Sequence, residues 1–469
     1  MLAILAPILV FGLVIFVHEL GHFLAAKAVG VYAPRFSIGF GPTLWRRRRG
    51  ETEYVLAALP LGGYVRMASR LDQEAAFLEG GSEAGPGPSK DDPSYDPEAM
   101  IPFGPKPVPE HRWFESKPLP ARLLILVAGV VMNVLLALVV SIGLAYSYGR
   151  PVIPTTVVGE VRPAQGVTAL RDLQPGDTIR SLNGEGVGTW NDVVREIRRG
   201  SADSLVIVTN RRTVVVPVPD DDTRDRIAGA MAPYVPPVID SVFSGSPAAR
   251  AGLRGGDSVI AVDGTPVRTW PQLVGWVSGA PGREVELEIG RGGERIRTRV
   301  RPESTQTEDP LTGRQRTVGR IGAAARDVTT REPVGLGEAI AAGWRATWFD
   351  AGRIVMVVKG LLTREISVRQ LGGPIAITQA SVTAARGGLE QLFYLIAFLS
   401  INVAVLNMLP IPILDGGQIL MNVIESAKGS PFSLRTREYI LRFGLLAIAL
   451  LFALVMFNDL QAAATRLFQ

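Results

Sequence analysis

From Leu2 to Val17 the chain carries no charged or hydrogen-bonding side chain, and the run ends directly on His18-Glu19-Leu20-Gly21-His22. An apolar helix of about 20 residues crosses a bilayer, so this segment predicts a membrane span with two imidazoles and a carboxylate near one of its ends. Residues four apart share a helical face, which lets His18 and His22 hold one tetrahedral metal while Glu19, on the adjacent face, reaches a water beside it. An ionisable side chain at the bilayer centre costs roughly 2.5–3.5 kcal/mol unless a functional partner offsets it. A buried histidine is usually a satisfied core residue, but two of the chain's three histidines are in this one segment, and that clustering turns the reading toward metal binding.

The absence of cysteine among the 469 residues leaves His, Asp and Glu as the available zinc ligands. The formal net charge is +5, yet the arginines are scattered. The one dense cluster, Arg46 to Arg49, lies close to an apolar segment, which predicts a positive-inside anchor and no nucleic-acid partner. With no basic leader region and no small-residue cleavage site, the first apolar run is read as a span and not as a signal peptide. Lys27, Arg35 and Arg46 to Arg49 follow it, which puts that end of the span in the cytoplasm and the N-terminus outside.

Four segments read as transmembrane helices: residues 1–30 with the metal motif, 119–149, 388–418 and 438–458. Lys428, Arg435 and Arg437 mark the cytoplasmic side between the last two, so four spans with both termini outside satisfy every basic cluster. Residues 31–70 read as a membrane-associated β-hairpin region, with Arg35 to Phe40 and Glu53 to Ala58 as strands and Gly39, Gly41, Pro60, Gly62 and Gly63 as punctuation. Strand backbone near membrane depth is tolerated only against protein or a water-filled cavity. Such a hairpin would therefore line an active-site chamber and offer an edge to an extended substrate; an ordinary cytoplasmic hairpin is the other reading. Residues 71–118, rich in Gly, Pro and acidic side chains, read as a cytoplasmic loop in which His111 is a solvated residue. Residues 334–387 read as an amphipathic membrane-surface segment, because Arg345, Asp350, Arg353 and Lys359 interrupt a helical stripe that includes Ile340, Trp344 and Trp348. In the second span, Asn133 and Gly129 one turn earlier either tighten helix packing or serve the site; the sequence weighs these equally.

Between the second and third spans an internal repeat appears. Leu173-Gln-Pro-Gly-Asp-Thr-Ile-Arg-Ser-Leu-Asn-Gly184 matches Leu253-Arg-Gly-Gly-Asp-Ser-Val-Ile-Ala-Val-Asp-Gly264, and Thr189-Trp190 matches Thr269-Trp270. Two copies of one β-rich domain follow, over 150–220 and 233–326. Ser246-Pro-Ala-Ala-Arg-Ala-Gly-Leu253 in the second copy resembles a bacterial PDZ domain, a module that captures peptide C-termini by strand addition. The first copy lacks that element, so peptide binding and a steric role stand side by side for it.

Catalytic zinc usually takes three protein ligands and keeps one open position. The third span enters from outside, so its C-terminal end reaches the leaflet of His18 and His22 at Asn407-Met-Leu-Pro410-Ile-Pro412-Ile-Leu-Asp415. Asp415 is thus the acidic residue delivered to them, freed from helix by the prolines before it and the glycines after it. Glu19 is the candidate general base, and Asn407 a donor to substrate backbone or oxyanion, with Pro412 grouped beside it as a substrate-binding position.

Together these residues resemble the site-2 protease family of intramembrane zinc metallopeptidases, and within it the bacterial sigma-E-regulating branch. The resemblance covers His18-Glu-Leu-Gly-His22, Gly39-Phe-Gly41, Pro60-Leu-Gly-Gly63, the paired PDZ-like repeats, Gly373-Pro374 and Asn407-x-x-Pro-x-x-x-Leu-Asp-Gly416. It implies a polytopic α-helical membrane protein with four transmembrane helices, a membrane-associated β-hairpin region and two extracytoplasmic PDZ-like α+β domains. It also implies one Zn2+ per chain and residence in a bacterial cytoplasmic (inner) membrane. The implied substrates are single-span membrane proteins, such as a trimmed anti-sigma factor or a remnant signal peptide. Val130-Val131 after Gly129, where relatives often carry proline, and the long loop from Leu71 to Pro109 depart from the pattern. A membrane-anchored PDZ scaffold with a structural, inactive zinc site is the reading from a different class. Glu19 argues against it, since a structural site has no use for a general base.

Overall fold

The computed structural model describes residues 2–68, 96–162, 167–199, 203–308, 315–363, 365–366 and 371–467. Most of the loop expected over 71–118 therefore lies outside the described residues. The chain divides into two units, Met1–Gly149 with Pro333–Gln469, and Arg150–Glu332.

The first unit is built on seven helices among the described residues: α1 (Leu2–Ala28), α2 (Leu119–Tyr148), α3 (Leu336–Leu362), α4 (Pro374–Gly387), α5 (Leu389–Asn407), α6 (Asp415–Lys428) and α7 (Leu434–Leu467). Among the described residues four helices are long and apolar enough to cross a membrane, over Leu5–Ala28, Leu119–Tyr148, Leu389–Asn407 and Arg435–Gln461. Their outward faces carry exposed Leu9, Leu124, Val139, Leu450 and Phe457, a surface suited to lipid and not to water. Inward, Val10 and Val14 of α1 meet Leu392 and Ile396 of α5. Ala137 of α2 is packed with Ala351 and Ile354 of α3 and with Ala397 and Ile401 of α5.

Small residues set the spacing of these helices. A Cβ on Gly21 would lie 2.7 Å from the Ala128 carbonyl carbon and 2.9 Å from Gly129 Cα, so α1 and α2 cross backbone against backbone. α3 lies along α2 by a buried stripe of Ala339, Gly343, Thr347 and Ala351, and a Cβ on Gly343 would come within 2.7 Å of the Ile142 nitrogen. Trp344, Trp348 and Phe349 are left exposed on its other side.

The hairpin strands are longer than the sequence runs suggest, β1 at Arg35–Arg49 and β2 at Thr52–Arg66. Arg46 to Arg49 pair antiparallel with Thr52 to Val55 at the tip. Arg35 to Ile38 sit between two stretches of β2, opposite Glu53 to Leu56 on one side and Gly63 to Arg66 on the other. The strand bends between these pairings at Gly39 and Gly41, whose φ values of 89° and 85° favour glycine. Phe36, Tyr54 and Val65 seat the sheet on Phe16, Leu20 and Phe23 of α1. Its tip is held by Glu51, which accepts two hydrogen bonds from Arg112 at 2.7 and 2.8 Å and one from Lys27 of α1.

The second unit repeats one plan. Four-stranded sheets run in the orders 185–186, 179–182, 204–209, 213–217 and 265–266, 258–262, 285–291, 294–300, each with a helix, Trp190–Arg199 or Trp270–Ser278, after its shortest strand. Each has its own core, one around Leu182, Leu205 and Ile207, the other around Val262, Leu287 and Ile289. The matching Asn183-Gly184 and Asp263-Gly264 both take positive φ and make the tight hairpin that joins the first two strands of each sheet. The buried Asp177 and Asp257 of the repeat accept from the backbone N–H of Gln174 and Arg254 at 2.9 and 2.8 Å, closing equivalent turns.

Candidate metal centre

α1 continues through the motif without a break, and the i, i+4 spacing brings Nε2 of His18 to 3.1 Å from Nε2 of His22. Both side chains are buried. The approach of Asp415 is a matter of backbone. α5 stops at Asn407, the Leu414 N–H donates to the Ile411 carbonyl at 2.8 Å, and α6 restarts at Asp415 itself. Its first turn folds back on this loop so tightly that a Cβ on Gly416 would lie 2.6 Å from the Leu409 carbonyl oxygen, and one on Gly417 2.6 Å from Pro412 Cα. The turn aims the carboxylate at the imidazoles, with Oδ2 at 3.3 Å from His18 Nε2 and 3.5 Å from His22 Nε2.

His18, His22 and Asp415 are the group of metal-ligand side chains that converges among the described residues. The donor chemistry fits a catalytic zinc. Donors at 2.0–2.1 Å from a tetrahedral ion stand about 3.3–3.4 Å apart, and the three separations here are 3.1, 3.3 and 3.5 Å. Asp415 Oδ2 is buried without a hydrogen-bond donor among the described residues, a costly arrangement for a carboxylate oxygen unless a cation faces it.

The surroundings orient the rings. The Ile125 carbonyl of α2 accepts from Nδ1 of His22 at 2.8 Å, leaving Nε2 as the free lone pair. Asn133 lies 3.3 Å from Nδ1 of His18, and the side-chain amide of Asn407 lies 3.1 Å from its Nε2. At Gly129 the backbone of α2 comes up against both rings at once: a Cβ there would stand 2.7 Å from His22 Cε1 and 2.8 Å from His18 Cε1. Glu19 is half-buried on the adjacent face of α1, its methylene stem against Gly63 of β2, where a Cβ would come 3.1 Å from Glu19 Cγ.

Five of the six residues singled out in the sequence, His18, Glu19, His22, Asn407 and Asp415, thus gather at one place. Pro412 belongs to the same loop, but its ring faces Gly444 of α7, and its carbonyl accepts from Gln418 Nε2 at 2.9 Å. Sequence reasoning missed the Ile125 carbonyl, a main-chain group that carries no signature, and the closeness of Gly21 and Gly129. It also passed over Asp459 of α7, which is buried and accepts from the N–H groups of Gly373, Ile375 and Ala376 at 2.9, 2.8 and 3.2 Å, capping α4 from another helix. An acidic residue at the very end of the last apolar span was the signal available.

A model of peptidase family M50 matches residues 6–451. The regulator of sigma-E protease RseP of Salmonella typhimurium is 30% identical over 475 residues, covering 97% of both chains. RseP of Escherichia coli is 30% identical over 476 residues, covering 96% of this chain and 97% of that one. A protein of Neisseria meningitidis serogroup A, named provisionally as a zinc metalloprotease, is 30% identical over 479 residues, covering 97% and 98%. Among solved structures, the PDZ domain of an SdrC-like protein from Listeria monocytogenes is 21% identical, with 20% of this chain and 90% of that chain covered and a TM-score of 0.16.

Proposed function

The chain belongs to peptidase family M50 and is a zinc-dependent intramembrane metalloendopeptidase, and we propose that His18, His22 and Asp415 hold one zinc ion per chain and Glu19 moves the protons of hydrolysis. The observation that carries this reading is the set of three donor separations, 3.1, 3.3 and 3.5 Å, which match a tetrahedral site built from two imidazoles and a carboxylate. Zinc, when bound there, supplies a Lewis acid that polarises the scissile carbonyl and acidifies water in the open position.

The chain's own residues do the rest. Glu19 takes a proton from the attacking water and delivers it to the leaving amine, roles that suit a half-buried carboxylate one position along α1 from His18. The Asn407 amide, held within 3.1 Å of the His18 ring, donates to the oxygen on which negative charge develops. Strand β2, in contact with Glu19 through Gly63, offers backbone groups to an extended substrate; a transmembrane helix must unwind to use them, which exposes its peptide bonds.

The substrates we propose are single-span membrane proteins, such as a trimmed anti-sigma factor or a remnant signal peptide, at a bacterial inner membrane. The basic groups at the hairpin end of α1 support four spans with both termini outside and the zinc near the cytoplasmic leaflet. On that topology the two repeats, over 150–220 and 233–326, are extracytoplasmic PDZ-like domains suited to peptide C-termini. The test is cleavage of a single-span substrate in detergent with and without a chelator, alongside Glu19→Gln. We expect the variant to bind zinc as wild type does and to lose cleavage; a fully active variant, or one emptied of zinc, refutes the role given to Glu19.

A further inference from the structure

Asn133 lies wholly inside the first unit, 0% exposed, one turn beyond Gly129 on the face of α2 that meets the metal motif. Its side-chain amide is 3.3 Å from Nδ1 of His18, on the far side of the ring from the Nε2 that faces Asp415 and His22. Its main chain is fixed as well. The buried Ser400 hydroxyl of α5 donates to the Asn133 carbonyl at 2.8 Å, so the residue is pinned between two spans.

A neutral histidine that offers Nε2 to a metal carries its one proton on Nδ1, and that N–H must find an acceptor where no water reaches. His22 has one in the Ile125 carbonyl. For His18 the group in that place is the Asn133 carboxamide. With Nδ2 turned to the ring, Oδ1 is left buried with no donor among the described residues, and two nitrogens face each other. A half turn about the last side-chain bond exchanges the two ends, since a carboxamide has nearly the same outline either way, and then Oδ1 accepts the Nδ1 proton.

We propose that Asn133 is the positioning residue of His18: its side-chain carbonyl holds the imidazole in the tautomer and ring orientation that present Nε2 to zinc. The proposal rests on the ligand set given above. It separates Asn133 from a packing role, because a packing residue is judged by volume and a positioning residue by whether it can accept a proton.

Two substitutions divide these roles in the full chain purified in detergent. Asn133→Asp keeps the acceptor at the same reach, and Asn133→Leu keeps the bulk and removes the acceptor. The readouts are the zinc dissociation constant from chelator competition, the visible spectrum of the Co(II)-substituted protein, and the melting temperature of the metal-free protein. Loss of an outer partner of a metal-bound histidine weakens affinity by about 10- to 100-fold. We expect that loss in the leucine variant, with an altered Co(II) spectrum and an unchanged metal-free melting temperature, and wild-type or tighter binding in the aspartate variant. If the leucine variant fails to fold, Asn133→Ala takes its place with the same expectation. Wild-type zinc affinity in the variant without an acceptor, or equal loss in both variants, overturns the proposal. A wild-type protein that binds no zinc overturns the ligand set itself, a result distinct from either.

Discussion

Replacing Gly129 by alanine adds a single methyl group where the α2 backbone comes up against both histidine rings. That methyl would stand 2.7 Å from His22 Cε1 and 2.8 Å from His18 Cε1, where ordinary contact is 3.4–4 Å. The rings or the helix must therefore retreat by about 0.6–1.3 Å, which exceeds the ~0.5 Å within which a site of this kind keeps its geometry. α1 has little freedom to move, because Gly21 already presses on Ala128 and Gly129 of the same helix. Overpacking of this size costs about 1–3 kcal/mol, and if the rings yield first the cost appears as about 5- to 150-fold weaker zinc binding. The assay is chelator competition on the purified full chain, paired with the melting temperature of the metal-free protein. We expect weaker zinc binding and slower cleavage with a modest change in the metal-free melt. Gly129→Ala with wild-type zinc affinity and turnover would show that the helix crossing has slack, and the argument from close approach would fail.

Asp415→Ala removes one of three proposed ligands, so zinc content and cleavage should fall together; a variant that retains its zinc excludes Asp415 as a ligand. Hydrogen bonds from Arg112, with help from Lys27, outweigh burial and hold the Glu51 carboxyl at about 2, below its usual 4.5. A depressed folded-state value favours the folded state above pH 4.5, and the gain disappears as pH falls from 4.5 toward 2. Melting temperatures of wild type and Glu51→Gln should therefore differ most at about pH 6, draw together below pH 4.5 and meet only near pH 2; a gap that does not shrink on acidification contradicts the charge on Glu51 as its source.

The parts of the site that show in the sequence are those whose chemistry lies in side-chain type and spacing. His18 and His22 declare themselves by their interval within an apolar run, and Asp415 by the direction that the basic clusters assign to the third span. Asn407 follows from its distance to Asp415. What stays hidden depends on approach and not on identity. Ile125 serves through a carbonyl every residue has, and Gly129 is a glycine among 51 until its neighbours are known. Asn133 reads equally as packing or chemistry because its partner, His18, is 115 positions away. The hairpin was legible as two short strands, but the doubled pairing of Arg35 to Ile38 depends on the bend at Gly39 and Gly41, which a pattern of alternating residues does not encode.

The Ile125 carbonyl that steadies His22 has a further consequence, for the lineage more than for the molecule. A main-chain oxygen survives every codon change at its own position, so the orientation of His22 is shielded from drift as long as α2 stays helical. The side chain that faces His18 has no such protection. One nucleotide turns an asparagine into an isoleucine, which offers His18 no acceptor, so on the role proposed for it Asn133 is open to loss by a single change, while Ile125 is free to vary among apolar residues.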